Sequence, residues 1–178
     1  MIDIIFTAAF AVLNRARGSK LFEKTTSTQV ARIVSAMGMA GLTLYFSQYP
    51  KLTGLIAFVG FFLWSLSGWG KYAGMTTGRD SRHESEIKWI DWALDKLPTD
   101  NVRLLGGAGM ALRCTYAAPV LFAISFIEVG AYWACLLTPL MGAVYYVTGL
   151  IWNDKGWHYG EYVSGAILGY LTVLSLGV

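Results

Sequence analysis

Residues 56–64 read IAFVGFFLW, from Ile56 to Trp64. Nothing in this run alternates. A transmembrane strand would exchange apolar and polar residues over about ten positions, so the stretch reads as a helix in apolar surroundings. Working outward, only small or polar interruptions occur between Leu52 and Trp69. That length approaches the roughly 20 apolar residues a helix needs to cross a bilayer core. The rest of the chain has the same character. Of its 178 residues, 55% are hydrophobic and 14% charged, with a mean hydropathy of +0.49. An ordinary soluble domain carries about 25% charged residues, and so few charges cannot cover this much apolar surface. The composition excludes a disordered chain, a coiled coil, a secreted disulfide framework and a nucleic-acid binder. It points to a polytopic membrane protein.

Five segments are predicted to span: 29–47, 52–69, 107–127, 129–152 and 158–178. The predicted fold class is all-α, a polytopic membrane helix bundle of five transmembrane helices forming one integral membrane domain over residues 1–178. Residues 1–13 are apolar but too short to cross, and they lack the basic start and cleavage site of a signal peptide. Ile2, Phe6, Ala9, Phe10 and Leu13 share one helical face, and Asp3, Thr7 and Asn14 line another. This predicts an amphipathic helix lying in the interface. The alternative is a short helix tucked into the bundle.

Charge sets the orientation. With five spans, Arg15, Arg17, Lys20, Lys24, Lys71, Arg79, Arg82, Lys88, Lys96, Arg103 and Lys155 fall on one side and Lys51 alone on the other. Arg32 and Arg113 lie within spans, nearer the basic side. The positive-inside rule makes the basic side cytoplasmic. This predicts a multi-pass protein of the inner (plasma) membrane, with a cytoplasmic N-terminus and an external C-terminus. The net charge of +3 is then an orientation signal with some attraction to anionic lipid. Cys114 falls in the inner half of its span and Cys135 in the outer half of the next. The difference in depth argues against a disulfide.

The long connection, 70–106, is charged but balanced. Its second half, residues 84–97 (ESEIKWIDWALDKL), has helical periodicity. Ile87, Ile90, Ala93, Leu94 and Leu97 form the apolar side, flanked by Trp89 and Trp92, and Pro98 ends the run. This predicts an amphipathic helix flat on the cytoplasmic leaflet or capping the bundle, and equally a docking helix for a protein partner. The preceding GKYAGMTTGRDSRHESE matches neither the P-loop nor the dinucleotide fingerprint. Arg79 and Arg82 are candidates to hold a phosphate or lipid headgroup, with Arg32 and Arg113 as further candidates.

Ionisable residues within spans are functional candidates by default. Arg113 is the clearest, and Glu161 lies at comparable depth in the last span. The two are predicted to form an ion pair that fixes helix register. Glu128, in a short outer turn, reads as a simple hairpin charge. The densest chemistry is NDKGWHYGEY, where His158 and Glu161 are three apart and share a helix face. A His beside a carboxylate can act as base or nucleophile. His83 is the only other His, so no metal site and no cofactor is predicted.

GWHYGEYVSGAILG, residues 156–169, resembles the third motif of type-2 phosphatidic acid phosphatases. The resemblance implies His158 as a nucleophile, Glu161 as its orienting acid, and Gly165 and Gly169 at the helix start. It covers 14 residues. The spacing from His to acid is three where the family has four, no upstream Arg stands at the family's place, and the PSGH motif is missing. In style the whole chain is also similar to small membrane proteins of tailed bacteriophages.

Small residues let helices approach in lipid. Ala36, Ala40 and Gly41 offer such a face, as do Gly165 and Gly169. The default is packing within the chain, and the alternative is a homo-oligomer through Gly165 and Gly169. Pro119 and Pro139 are predicted to kink their spans. Three function classes follow. The favoured one is a non-enzymatic scaffold, assembly factor or envelope component, with membrane lipid and a protein at the 70–106 loop as partners. The alternatives are a channel or membrane-permeabilising protein, and an enzyme acting on a lipid or polyprenyl phosphate through His158. The spans lack an aligned polar stripe for a pore and a complete catalytic set.

Overall fold

Helices form wherever the sequence is apolar, as seen in a computed structural model that describes residues 1–17, 25–66, 71–77 and 88–178. The elements are α1 (Ile2–Arg17), α2 (Thr25–Phe46), α3 (Pro50–Leu66), α4 (Lys71–Thr77), α5 (Lys88–Leu94), α6 (Val102–Cys114), α7 (Ala118–Glu128) and α8 (Thr138–Leu176). There is no strand among the described residues. Two helical stretches are long and apolar enough to cross a membrane, Val102–Glu128 with 27 residues and Tyr132–Trp152 with 21. Val30–Phe46 and Pro50–Ser65 are shorter apolar helices.

The first long stretch joins α6 to α7 through a 3-10 turn at Thr115–Ala117. Pro119 explains it. Proline has no N–H for the carbonyl four residues back, and the Ala118 N–H donates to the Thr115 carbonyl, only three residues back. Pro139 does something different from the predicted kink. It sits in the first turn of α8, where its missing N–H costs nothing.

The last helix is not straight. In a straight α-helix, residues 15 apart lie about 22 Å apart. Here the Tyr145 hydroxyl donates to Glu161 Oε1 at 2.9 Å, and a Cβ placed on Gly160 would stand 3.2 Å from Tyr145 Cα. α8 therefore reverses between Thr148 and Gly160, giving antiparallel limbs over 138–152 and 158–176. The reversal falls where the sequence breaks its fourth predicted span from its fifth.

The N-terminal helix corrects the sequence reading. α1 packs against the bundle through one face, as in the alternative reading of a helix tucked into it, and leaves Ile4, Ile5 and Val12 exposed. Phe6 and Phe10 are completely buried, as is Asn14 one turn on. Fully burying each Phe is worth about 1.5–3 kcal/mol relative to exposure to water. Phe6 packs against Phe46 at 5.5 Å between ring centroids and Phe10 against Phe61 at 5.5 Å. Gly165 and Gly169 admit α1: a Cβ at Gly165 would lie 2.6 Å from the Phe10 carbonyl, and one at Gly169 2.5 Å from that of Phe6. This face, a candidate for self-association from sequence, is filled by α1 of the same chain. Because Phe6 meets Gly169 and Asn14 meets Glu161, α1 runs antiparallel to the second limb. The two chain termini lie at the same end, where the five-span topology sets them on opposite sides.

At that end α7 closes on Val129, whose φ of 60° is left-handed. A β-branched residue there costs roughly 1–2 kcal/mol. The next position, Gly130, has no room for a side chain, since a Cβ there would lie 2.8 Å from the Leu174 carbonyl. Val129 is 82% exposed and gives up little packing. Val129→Gly is expected to raise the thermal midpoint, equivalent to about 1 kcal/mol, measured by heating the purified protein.

The opposite end carries α4 and α5. Ile90 and Leu94 are buried against Leu105 of α6, while Trp89 and Trp92 stay exposed. The described part of the predicted amphipathic helix thus packs along α6; residues 84–87 lie outside the described residues. A polar clasp joins α4 to α5. Lys71 Nζ lies 3.2 Å from Asp95 Oδ1, the Lys71 amide donates to Asp91, and the Tyr72 hydroxyl donates to Asp95. The Tyr72 hydroxyl, then Lys71, hold the Asp95 carboxyl below the usual carboxylate range. Asp95 in turn raises Lys71 above its ordinary value. The depressed carboxyl makes the clasp complete above pH about 4, and it is lost as pH falls through the lowered value. The raised amine keeps it complete below pH about 10, and it is lost as pH rises through the raised value. A pH titration of tryptophan emission should show an acid transition that Asp95→Asn removes. Identical acid transitions in both proteins would show that the clasp contributes nothing.

Candidate functional site

Of the three buried charged side chains among the described residues, Arg113 and Glu161 lie toward the end where α8 reverses. Glu161, on the second limb, is 3% exposed. Its Oε1 accepts from the Tyr145 hydroxyl of the first limb, and Arg15 Nη1 of α1 stands 3.4 Å from Oε2. Asn14 Nδ2 donates to the Glu161 carbonyl at 2.6 Å and to Ser164 Oγ at 3.0 Å. Ser35 of α2 adds a bond from its hydroxyl to the Leu13 carbonyl at 2.9 Å. α1, α2 and the two limbs of α8 are thus tied together by polar groups. Unmade hydrogen bonds there would each cost about 1–3 kcal/mol, which gives the cluster its specificity of register.

Arg113 is equally buried, at 3% exposure, but it does not supply the ion pair predicted for Glu161. That pair comes from Arg15. Arg113 lies over the Tyr145 ring, its guanidinium carbon 5.9 Å from the centroid. Tyr145 therefore stands between the two residues that the sequence pairs, its face toward Arg113 and its hydroxyl toward Glu161. A buried cation–π contact of this kind is worth about 2 kcal/mol.

The other candidates are dispersed. His158 is half-buried at the start of the second limb, one turn before Glu161. Arg32 is half-buried on α2 and makes no ion pair among the described residues. Arg79, Arg82 and His83 lie outside the described residues. No group of three metal-ligating side chains occurs among the described residues. An acid that orients a nucleophile must aim at that nucleophile, whereas the Glu161 carboxylate is committed to Tyr145 and Arg15.

At the far end Glu128 is no simple hairpin charge. It is 4% exposed, and its carboxylate accepts from the hydroxyls of Ser47 and Thr53 and from the backbone N–H groups of Gln48 and Tyr49. It locks the α2–α3 turn onto the end of α7. Beside it lies a hollow of about 580 Å³ lined by Gln48, Tyr49, Pro50, Lys51, Leu52 and Ile127.

No family model, curated protein or solved structure matches the chain. The roles of these groups follow from their own geometry.

Sequence reasoning misses Asn14, Arg15 and Tyr145 as members of the cluster. A signal for Asn14 is present. Phe6, Phe10 and Asn14 recur every four residues, so a helix that buries the first two carries the third inward with them. Nothing comparable marks Tyr145, whose role depends on the reversal of α8.

Proposed function

We propose that the protein is a small polytopic inner-membrane protein without enzymatic activity, a scaffold or envelope component that presents α4, α5 and the 70–106 loop at the cytoplasmic face. The observation that carries this reading is that Glu161, Arg15, Arg113 and Glu128 are all engaged in contacts between helices. Their chemistry is used to assemble the bundle.

The surface supports the membrane setting. Val34, Met37, Leu55, Val59, Leu63, Phe122 and Phe126 are exposed apolar residues. Tyr45, Tyr49, Tyr132 and Trp133 are exposed toward the Glu128 end, and Trp89, Trp92, Trp152 and Tyr159 toward the Glu161 end. Aromatic rings of this kind favour the two headgroup levels. In this reading the five predicted spans are joined by α1 as a sixth helix. Arg15, Lys71, Lys88, Lys96 and Arg103 mark the cytoplasmic end, and both termini are external.

Cysteine labelling tests it. In a background with Cys114 and Cys135 replaced by Ser, a single Cys is placed at Ile2, Lys88 or Val178. An impermeant maleimide should label Ile2→Cys and Val178→Cys in intact spheroplasts, and Lys88→Cys only after permeabilisation. Termini on opposite sides would overturn the six-helix arrangement. Release of phosphate from a lipid phosphate by the wild type, lost in His158→Ala, would overturn the non-enzymatic reading.

A further inference from the structure

We propose that the hollow beside Lys51 is a binding site for one phospholipid of the external leaflet, with its phosphate against the Lys51 ammonium and an acyl chain along Leu52 and Ile127. Such a site rests on the membrane reading of the chain.

The hollow is a groove open to the surface, with a volume of about 580 Å³, in the size range of about 300–1,000 Å³ of small-ligand sites. Tyr49, Pro50, Leu52 and Ile127 give it apolar walls, and Lys51 supplies its cation. Lys51 is exposed and makes no ion pair among the described residues. Glu128 directly follows Ile127, yet it does not neutralise this cation. Its carboxylate is turned inward, the oxygens held by Ser47, Thr53 and the amides of Gln48 and Tyr49. Lys51 therefore brings an unneutralised cation to the rim of an apolar hollow. Its complement is an anion joined to a hydrocarbon chain. A free phosphate would leave the apolar walls unused, and a neutral lipid would leave Lys51 unused. Tyr49, 56% exposed, adds an amphipathic ring suited to the headgroup level. Arg15, Lys71, Lys88, Lys96 and Arg103 belong to the opposite end, so Lys51 acts as a local site and not as part of a broad basic field.

The test uses the full chain purified in neutral detergent, with native mass spectrometry after addition of phosphatidylglycerol or diacylglycerol. One phosphatidylglycerol should be retained, and diacylglycerol should be retained far less. Lys51→Gln should lower retention roughly fivefold, the effect of one basic residue near an anionic headgroup. Ile127→Trp, which fills the hollow, should lower it too, and Lys88→Gln at the opposite end should not. Lys51→Gln changes an exposed side chain, so it decides the question if Ile127→Trp misfolds. Equal retention by wild type and Lys51→Gln would overturn the site, as would diacylglycerol binding as well as phosphatidylglycerol. A chain absent from cell membranes would overturn the membrane reading itself, whereas a membrane-inserted chain indifferent to Lys51→Gln overturns only the site.

Discussion

Glu161→Ala is expected to lower the stability of the bundle by about 3 kcal/mol, at the lower end of the range for breaking a buried ion pair. Two partners are left behind. The Tyr145 hydroxyl loses its acceptor in a residue that is 1% exposed, and Arg15 Nη1 loses its counter-charge. The side chain of Arg15 is 21% exposed, so part of its charge remains solvated and the full penalty is not reached. Glu161→Gln should cost less, because the amide oxygen still accepts from Tyr145. The double variant Arg15→Ala/Glu161→Ala should lose less than the sum of the single losses, with a coupling of about 1–3 kcal/mol. Midpoints of thermal unfolding in detergent supply all four values. Strict additivity would show that Arg15 and Glu161 act independently. Arg113→Ala is also expected to destabilise, through loss of its contact with the Tyr145 ring. Exchanging the charges of Arg113 and Glu161 should restore nothing, and recovery of folded protein by that exchange would restore the pairing the sequence suggests.

Two glycine substitutions should move stability in opposite directions. A Cβ at Gly142 would lie 2.7 Å from Ala111 Cα, backbone against backbone, with no flexible side chain to move aside. Gly142→Ala must push the first limb of α8 away from α6, loosening the contacts that bury Met110 and Tyr146. The expected loss is about 3 kcal/mol, of the order of overpacking a close interface. Gly41, in α2, has nothing within 4 Å of its Cβ position. Gly41→Ala is expected to gain about 0.5–1 kcal/mol from helix propensity alone. Thermal midpoints of the two variants test both signs. Loss of folded protein on Gly41→Ala would reveal a partner packed on that exposed face of α2.

What depends on local hydropathy is legible in the sequence. The run at 56–64 and the stretch Val102–Glu128 are apolar whatever they pack against, so their helices can be read directly. So can the reversal near NDKGW, where polar residues interrupt an apolar pattern. Which helix faces which is not legible. Arg113 and Arg15 both reach the depth of Glu161, and depth along a span does not say around which side of the bundle a residue points. Glu128 reads as a hairpin charge for a related reason. The hydroxyls that hold it belong to Ser47 and Thr53, more than 70 residues earlier, and its own neighbours give no hint of them. The N-terminal helix reads as interfacial because its apolar run, residues 1–13, is too short to span, at about 20 Å. Its burial depends on the glycine face of the second limb, which only the assembled bundle brings to it.

That arrangement has a consequence for the order in which the protein can be made. α1 leaves the ribosome well before the limb that receives it, which carries Gly165 and Gly169. The bond from Asn14 to Glu161 closes across 147 residues. At about 5–20 residues per second, the first helix waits on the order of ten seconds for its partner. Through that interval Phe6 and Phe10 can meet Phe46 and Phe61, but the side of α1 that closes on Gly165 and Gly169 stays open. A chain truncated before residue 158 would leave that side of α1 without its partner.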